Sequence, residues 1–386
     1  RGGIMDREVG AGRALLVAAL VAGGLAARAA GGEGELGPRM QRIFESVRAV
    51  LPLAVDPEEL GAERHRGRVH PALQALVRQS ELLASHTRSR DPGFGFVAGF
   101  LANDAAEILR SYEAQRFEEA AFLVRQTTES CIACHTRLPS PGDFPLAEDF
   151  MAETKLAGLP PEQRAALQTA TRRFDDALAT YEALFASPTL HPARMLGDLT
   201  DYLVLCVRVK GDFERPRPVL RRFAGRRDLW RHLRVDVERW IADLEALRGV
   251  DLAHPDLARA RALLDEAKRR VGFPSDRAAL VPYVVASSLL YRFAEAHAGE
   301  GGRDLGEAYY LLGLVESRIG RDSWLSPSAV FLESAIRTAP QEPFAEQAYA
   351  LLEEAAILGW ASEDSLQLPP DIDRKLAELR ALLDTP

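Results

Sequence analysis

Cys131, Cys134 and His135 form the stretch Cys-Ile-Ala-Cys-His, whose residue types and spacing carry the clearest chemistry in this chain. Two thiols at this spacing add across the two vinyl groups of a haem as thioethers, and the histidine that follows binds the iron through its imidazole. The motif therefore predicts one covalently attached haem c, with the two cysteines as attachment residues and His135 as the proximal iron ligand. A redox-active dithiol and a zinc site are the alternatives for a Cys-x-x-Cys pair.

The position of the pair along its predicted helix separates these alternatives. From Phe117 to His135, the residues on one face of this helix recur at alternating steps of four and three, which is the period of a stripe that faces the core of a helix bundle. The motif lies at the C-terminal end of this helix, whereas a helix N-terminus is where the dipole lowers a thiol pKa. No second cysteine pair completes a zinc site, so haem is favoured. The stripe consists of Phe117, Ala121, Val124, Thr128, Cys131 and His135.

The first 30 residues have the pattern of an export signal. Arg7 and Arg13 are basic, Ala14 to Ala26 form an apolar run, and Ala27-Arg28-Ala29 has the small-x-small form of a cleavage site. We predict a signal peptide over residues 1–29 and a periplasmic location; an uncleaved membrane anchor is the alternative, disfavoured because the run is too short to span a bilayer. The formal net charge of −8 disfavours nucleic acid as a partner.

Helical periodicity dominates the rest of the chain, and no stretch shows sustained strand alternation. Proline and glycine clusters divide it into a first part over residues 36–137, a linker over 138–160 and a second part over 161–386. The predicted fold class is all-α, and the first part reads as four helices. They run from about Pro38 to Leu51, from about Glu63 to His86, onward from the break at Asp91-Pro-Gly93, and from near Phe117 to the motif.

Four amphipathic helices with Cys-x-x-Cys-His at the end of the fourth resemble the class II c-type cytochromes, the cytochrome c prime group. The resemblance covers about 100 residues and implies a four-helix bundle with the haem near one end, between helices one and four. In that family the distal side of the iron is either open to small gases or filled by a methionine from helix one. Met40 stands where such a methionine could stand. A core methionine is the alternative.

The antiparallel topology of such a bundle places the end of helix two beside the haem motif. His86 is then a second candidate for the distal ligand, or a helix C-terminal residue favoured by the dipole. Arg88 and Arg90 follow it and are candidates for contacts with the haem propionates. Solvated loop charge is the alternative for both arginines.

The second part has no catalytic motif, and its pattern suggests helix pairs. Ala170, Phe174 and Ala177 resemble the second helix of a tetratricopeptide repeat. A second set resembles a first helix followed by a second helix: Tyr309, Leu312, Gly313, Leu332, Ala335 and Pro340. We predict a tetratricopeptide-like α-solenoid, whose concave groove commonly binds partner proteins. A plain helical domain that packs against the haem bundle is the alternative.

We assign no functional site to the histidines of the second part or to the third cysteine. His191, His232, His254 and His297 are scattered, and we expect them to be structural or exposed. Cys206 lies in an apolar run, and we expect a buried core thiol.

The sequence predicts an exported monohaem cytochrome that is not an enzyme. Its function would be electron transfer, with the C-terminal helices docking it to a periplasmic redox protein or a membrane respiratory complex. One alternative is a haem-based protein that binds or senses NO or CO. The other is a structural subunit of a larger cytochrome assembly.

Overall fold

Helices joined by turns make up the secondary structure of the protein. The computed structural model describes residues 36–87, 92–137, 150, 158–272, 276–319, 327–360 and 368–385, and within these ranges it contains no strand. The prediction of an all-α chain is therefore confirmed. The predicted signal peptide and most of the linker over 138–160 lie outside the described residues.

Four of the five N-terminal helices correspond to the predicted ones, and the short helix α2 is additional. They are α1 over 36–50, α2 (Pro57–Gly61), α3 (Glu63–Thr87), α4 (Pro92–Glu113) and α5 (Phe117–His135). Helix α3 packs on α4, α4 packs on α5, and α2 also contacts α5. Apolar residues at helical spacing on α3 and α4 are buried, which accounts for this packing: Val69, Leu73, Leu76, Leu83, Val97, Leu101, Ala105, Ile108 and Tyr112.

The C-terminal helices pack largely as consecutive pairs. They are α6 (Pro161–Ala170), α7 (Phe174–Ala186), α8 (Leu196–Val204), α9 (Pro216–Ala224), α10 (Arg231–Leu247), α11 (Leu257–Arg270), α12 (Leu280–Ala296), α13 (Arg303–Ile319), α14 (Ser328–Thr338), α15 (Pro343–Trp360) and α16 (Pro370–Leu383). Each helix from α11 to α15 contacts the next one along the chain. A π-helical turn (Leu205–Val209) extends α8 and holds Cys206, which is fully buried as expected.

The helix pair α13–α14 is close enough to require a glycine. A Cβ atom on Gly313 would lie 2.6 Å from the Cγ of Leu332 and 3.2 Å from the carbonyl oxygen of Ser328. Of the residues predicted for this unit, Tyr309, Leu312 and Gly313 lie on α13 and Leu332 and Ala335 on α14, whereas Pro340 follows the end of α14.

The expected second helix that contains both Ala170 and Phe174 is wrong. Helix α6 ends at Ala170 and α7 begins at Phe174, because Arg172 adopts a left-handed conformation with φ 61° and breaks the helix between them. A matching turn precedes α5, where Gln115 has φ 60°. In both turns the next residue is an arginine, and its Nε donates to an acidic side chain three residues later, at 2.6 Å for Arg116 and 2.7 Å for Arg173.

Helices from the two parts of the chain are in direct contact. Helix α5 packs against α6, and α4 packs against α14. None of the helices in the described ranges combines the length and the apolar character needed to cross a membrane.

Candidate functional site

The Cys-Ile-Ala-Cys-His motif occupies the last turns of α5. Cys131 and His135 are four residues apart and Cys134 is three residues from Cys131, so helical geometry places Cys131 on the same side as each of the other two. The three side chains are half-buried, and none of the chain's three cysteines, all of which the structure describes, is in a disulfide. The helix ends at Thr136, whose backbone N–H and hydroxyl both donate to the carbonyl of Ile132.

One ring nitrogen of His135 is fixed by a hydrogen bond. Its Nδ1–H donates to the carbonyl oxygen of Ala170 over 2.8 Å, and Ala170 is the last residue of α6. A carbonyl only accepts, so Nδ1 carries the proton, and the Nε2 lone pair is the one left for a metal. Proteins usually orient a metal-binding histidine through an acceptor, such as a backbone carbonyl, for the N–H of the ring nitrogen that does not bind the metal.

The surroundings of His135 keep its imidazole neutral. Burial lowers its pKa to about 4, the positive charge of Arg172 acts in the same direction, and the hydrogen bond to Ala170 opposes them. Only neutral imidazole binds a metal ion, so a pKa this low leaves the ring ready to bind at neutral pH.

The thiol of Cys131 is poorly suited to redox exchange. Burial, the neighbouring Cys134 and the charge of Glu129 raise its pKa to about 12, although a backbone hydrogen bond acts the other way. Attack on a disulfide requires the thiolate, and reactive thiols have lowered pKa values. This environment disfavours the dithiol alternative.

Arg137 connects the motif to the C-terminal helices. Its guanidinium carbon lies 4.5 Å from the ring centre of Phe94, 4.7 Å from that of Tyr291 and 5.4 Å from that of Phe331, and the residue is buried. Gly93 makes this approach possible, because a Cβ atom there would lie 2.6 Å from Nη2 of Arg137. Cation–π contacts at a desolvated site are among the stronger ones, so Arg137 holds the end of α5 against α4, α12 and α14.

The two candidate distal ligands lie at the same end of the N-terminal helices. Met40 is half-buried and packs against an apolar cluster that includes Leu83. His86 is in the last turn of α3, and its Nε2 is buried with no hydrogen-bond partner among the described residues. Arg88 and Arg90 lie outside the described residues.

Three other buried polar atoms, one each on α3, α4 and α5, also lack hydrogen bonds within the described ranges. They are the hydroxyls of Ser80 and Ser130 and the Oδ2 atom of Asp104, whose pKa burial raises to about 6. Buried polar groups are almost always paired, so such atoms mark places where a partner is missing. At the motif itself, two thiols and an oriented neutral imidazole are the groups that a covalently attached haem requires.

Several residues of this site carry no signal in the sequence. Ala170 contributes only its backbone carbonyl, and Tyr291 and Phe331 are far from the motif along the chain. Arg137 stands two residues after His135, but its role depends on aromatic partners that only the fold brings together. No family model, curated protein or solved structure matches this chain.

Proposed function

We propose that the protein is an exported monohaem c-type cytochrome that transfers electrons. Cys131 and Cys134 would hold the haem as thioethers and His135 would bind the iron. When bound, the haem iron would supply one-electron redox chemistry. The observation that carries the proposal is the hydrogen bond from His135 Nδ1 to Ala170, because it leaves Nε2 available at the end of a Cys-x-x-Cys-His helix.

The chain's own residues would set the properties of the site. The Ala170 carbonyl fixes the tautomer and orientation of His135, and Arg172 together with burial keeps the ring unprotonated. Arg137 holds the end of α5 in place through its three aromatic contacts. A rigid ligand helix suits electron transfer, since little has to move when the charge of the site changes.

We also propose the finer architecture on which this function depends. Helices α1, α3, α4 and α5 would form a four-helix bundle of the class II type, and α6 to α16 a tetratricopeptide-like solenoid. Pairwise contacts between consecutive helices and the close approach at Gly313 support this arrangement. The solenoid would complete the site through Ala170 and dock the cytochrome to a periplasmic redox protein or membrane complex.

Absorption spectra of the exported full-length protein test the proposal. We expect a covalent haem whose pyridine haemochrome is that of two thioethers, and its loss in Cys131→Ser and Cys134→Ser. His135→Ala should abolish the native spectrum, whereas His254→Ala, an exposed histidine paired with Asp251, should leave it unchanged. Absence of haem from protein produced in a host that matures c-type cytochromes would refute the proposal.

The same spectra distinguish the alternative functions. A low-spin spectrum that CO does not change would indicate a second strong ligand, and Met40→Ala and His86→Ala would identify it. A high-spin spectrum that CO shifts would favour gas binding over electron transfer. Stable co-purification with other haem proteins would favour a structural subunit.

A further inference from the structure

Three side chains that can bind a metal converge far along the chain from the cysteine motif. His232 and Asp236 are one turn apart on α10, and Asp276 lies in the segment before α12. One ligand atom from each residue lies within 4.8 Å of the other two, and Nε2 of His232 is 3.6 Å from Oδ2 of Asp236. Donors bound to a single ion at about 2.0–2.2 Å lie up to about 4 Å apart, so the distance between His232 and Asp236 fits one cation, and the 4.8 Å limit leaves Asp276 a small side-chain adjustment at most.

The backbone around the third ligand is held in place independently of any ion. Asp276 accepts hydrogen bonds from the backbone N–H groups of Ala278 (2.9 Å) and Gly272 (3.0 Å). Arg277 follows Asp276 in the chain, and its carbonyl accepts a hydrogen bond of 2.7 Å from the indole Nε1–H of the buried Trp240. Helix α10 therefore supplies two of the ligands and also positions the third, which preorganises the cluster.

One oxygen of the buried Asp236 carboxylate lacks a hydrogen bond within the described residues, although cationic side chains lie nearby. Asp236 is only 3% exposed, and its Oδ1 atom has no hydrogen-bond partner among the described residues. The nearest guanidinium nitrogen, Nη1 of Arg239, is 3.9 Å from that oxygen, beyond hydrogen-bonding distance. The charge of Arg277 also acts on Asp236, but its Nη1 donates its hydrogen bonds to the Leu196 carbonyl and the Thr200 hydroxyl. A buried carboxylate in this state is costly unless it is paired or binds a metal.

We propose that His232, Asp236 and Asp276 form a binding site for a divalent transition-metal ion of the zinc type. One imidazole and two carboxylates suit Zn²⁺ better than Mg²⁺ or Ca²⁺, which prefer oxygen ligands alone. Three protein ligands leave a coordination position for water on the side where His232 is exposed. The ion would tie α10 to the segment before α12 and stabilise the C-terminal helices. This site is independent of the proposed haem function.

Calorimetric titration of the full-length, haem-loaded protein with ZnCl₂ tests the site. We expect one ion to bind per chain and the midpoint of thermal unfolding to rise with Zn²⁺. His232→Gln, at an exposed side chain, should weaken binding by roughly tenfold or more, as should Asp236→Asn. His254→Gln is the matched control, because His254 pairs with Asp251 at 2.6 Å and has no third ligand among the described residues, and it should bind as the wild type does.

Two results would overturn the proposal. One is absence of Zn²⁺ binding to the wild-type protein, which would make the cluster an ion-pair network of His232, Asp236 and Arg239. The other is Zn²⁺ binding that both His232→Gln and Asp236→Asn retain, which would place the ion at another part of the molecule, the cysteine motif included.

Discussion

The packing of Gly93 against Arg137 leads to a quantitative prediction about the coupling between the motif and the C-terminal helices. In Gly93→Ala the new Cβ atom would lie 2.6 Å and 2.8 Å from the Arg137 nitrogens Nη2 and Nη1, and 2.7 Å from Cζ of Phe331. All three distances are below 3.0 Å, so neighbouring atoms must move. Arg137 has little room to move, because three aromatic rings surround it.

The expected cost follows from a matched pair of glycines on the same helix. Gly99 lies six residues further along α4 and has open space where its Cβ would be. Gly99→Ala should stabilise the protein by about 0.5–1 kcal/mol, because alanine is the better helix residue. Gly93→Ala shares part of this gain but adds an overpacking cost of about 1–3 kcal/mol, so the two free energies of unfolding should differ by about 1–3 kcal/mol.

Urea unfolding followed by circular dichroism measures both variants under the same conditions. We expect a lower midpoint for Gly93→Ala, a higher one for Gly99→Ala and no change in slope. Equal midpoints for the two variants would refute the close packing of α4 against Arg137 and Phe331, and with it the connection between the motif and α14.

Three further variants test the electrostatics of α4 and the backbone at two left-handed positions. Burial raises the pKa of Asp104 to about 6, so the native state binds this proton more tightly than the unfolded state does, and the associated stability is lost as the pH rises from about 4 to 6. Asp104→Asn should therefore raise the free energy of unfolding at pH 7 by about 1–3 kcal/mol and flatten this part of the pH profile. A pH profile of urea unfolding identical to that of the wild type would contradict this. Gln115 has φ 60°, a conformation that glycine adopts more easily, so Gln115→Gly should stabilise the protein by up to about 1 kcal/mol. Gly211→Ala, at φ 64°, should destabilise it. Thermal unfolding of both variants measures the direction of each change, and a loss of stability in Gln115→Gly would contradict the left-handed turn.

Local periodicity was enough to predict the helix that carries the motif. The stripe from Phe117 to His135 corresponds to the observed α5, and the break at Asp91-Pro-Gly93 corresponds to the start of α4 at Pro92. Such features depend on spacing within a few residues, which the sequence states directly.

The parts of the site that were not predicted depend on contacts between distant residues or on the backbone. The acceptor for His135 is a main-chain carbonyl, which any residue type at position 170 would supply. The break at Arg172 uses a left-handed conformation in a residue that is not glycine, so composition gives no warning of it. His232 and Asp236 show helical spacing, but their third partner, Asp276, is brought to them by folding.

The contacts of Arg137 also bear on the order of events during folding. The aromatic rings of Tyr291 and Phe331 come late in the chain, and contacts between residues far apart in sequence form slowly because a long loop must close first. Helix α5 leaves the ribosome, and crosses a membrane if the chain is exported, well before these rings do. During that interval Arg137 lacks its contacts with Tyr291 and Phe331, so the end of α5 is not yet held by the C-terminal helices. The fold thus leaves a period in which the covalent attachment that we propose can take place before these contacts fix the end of α5.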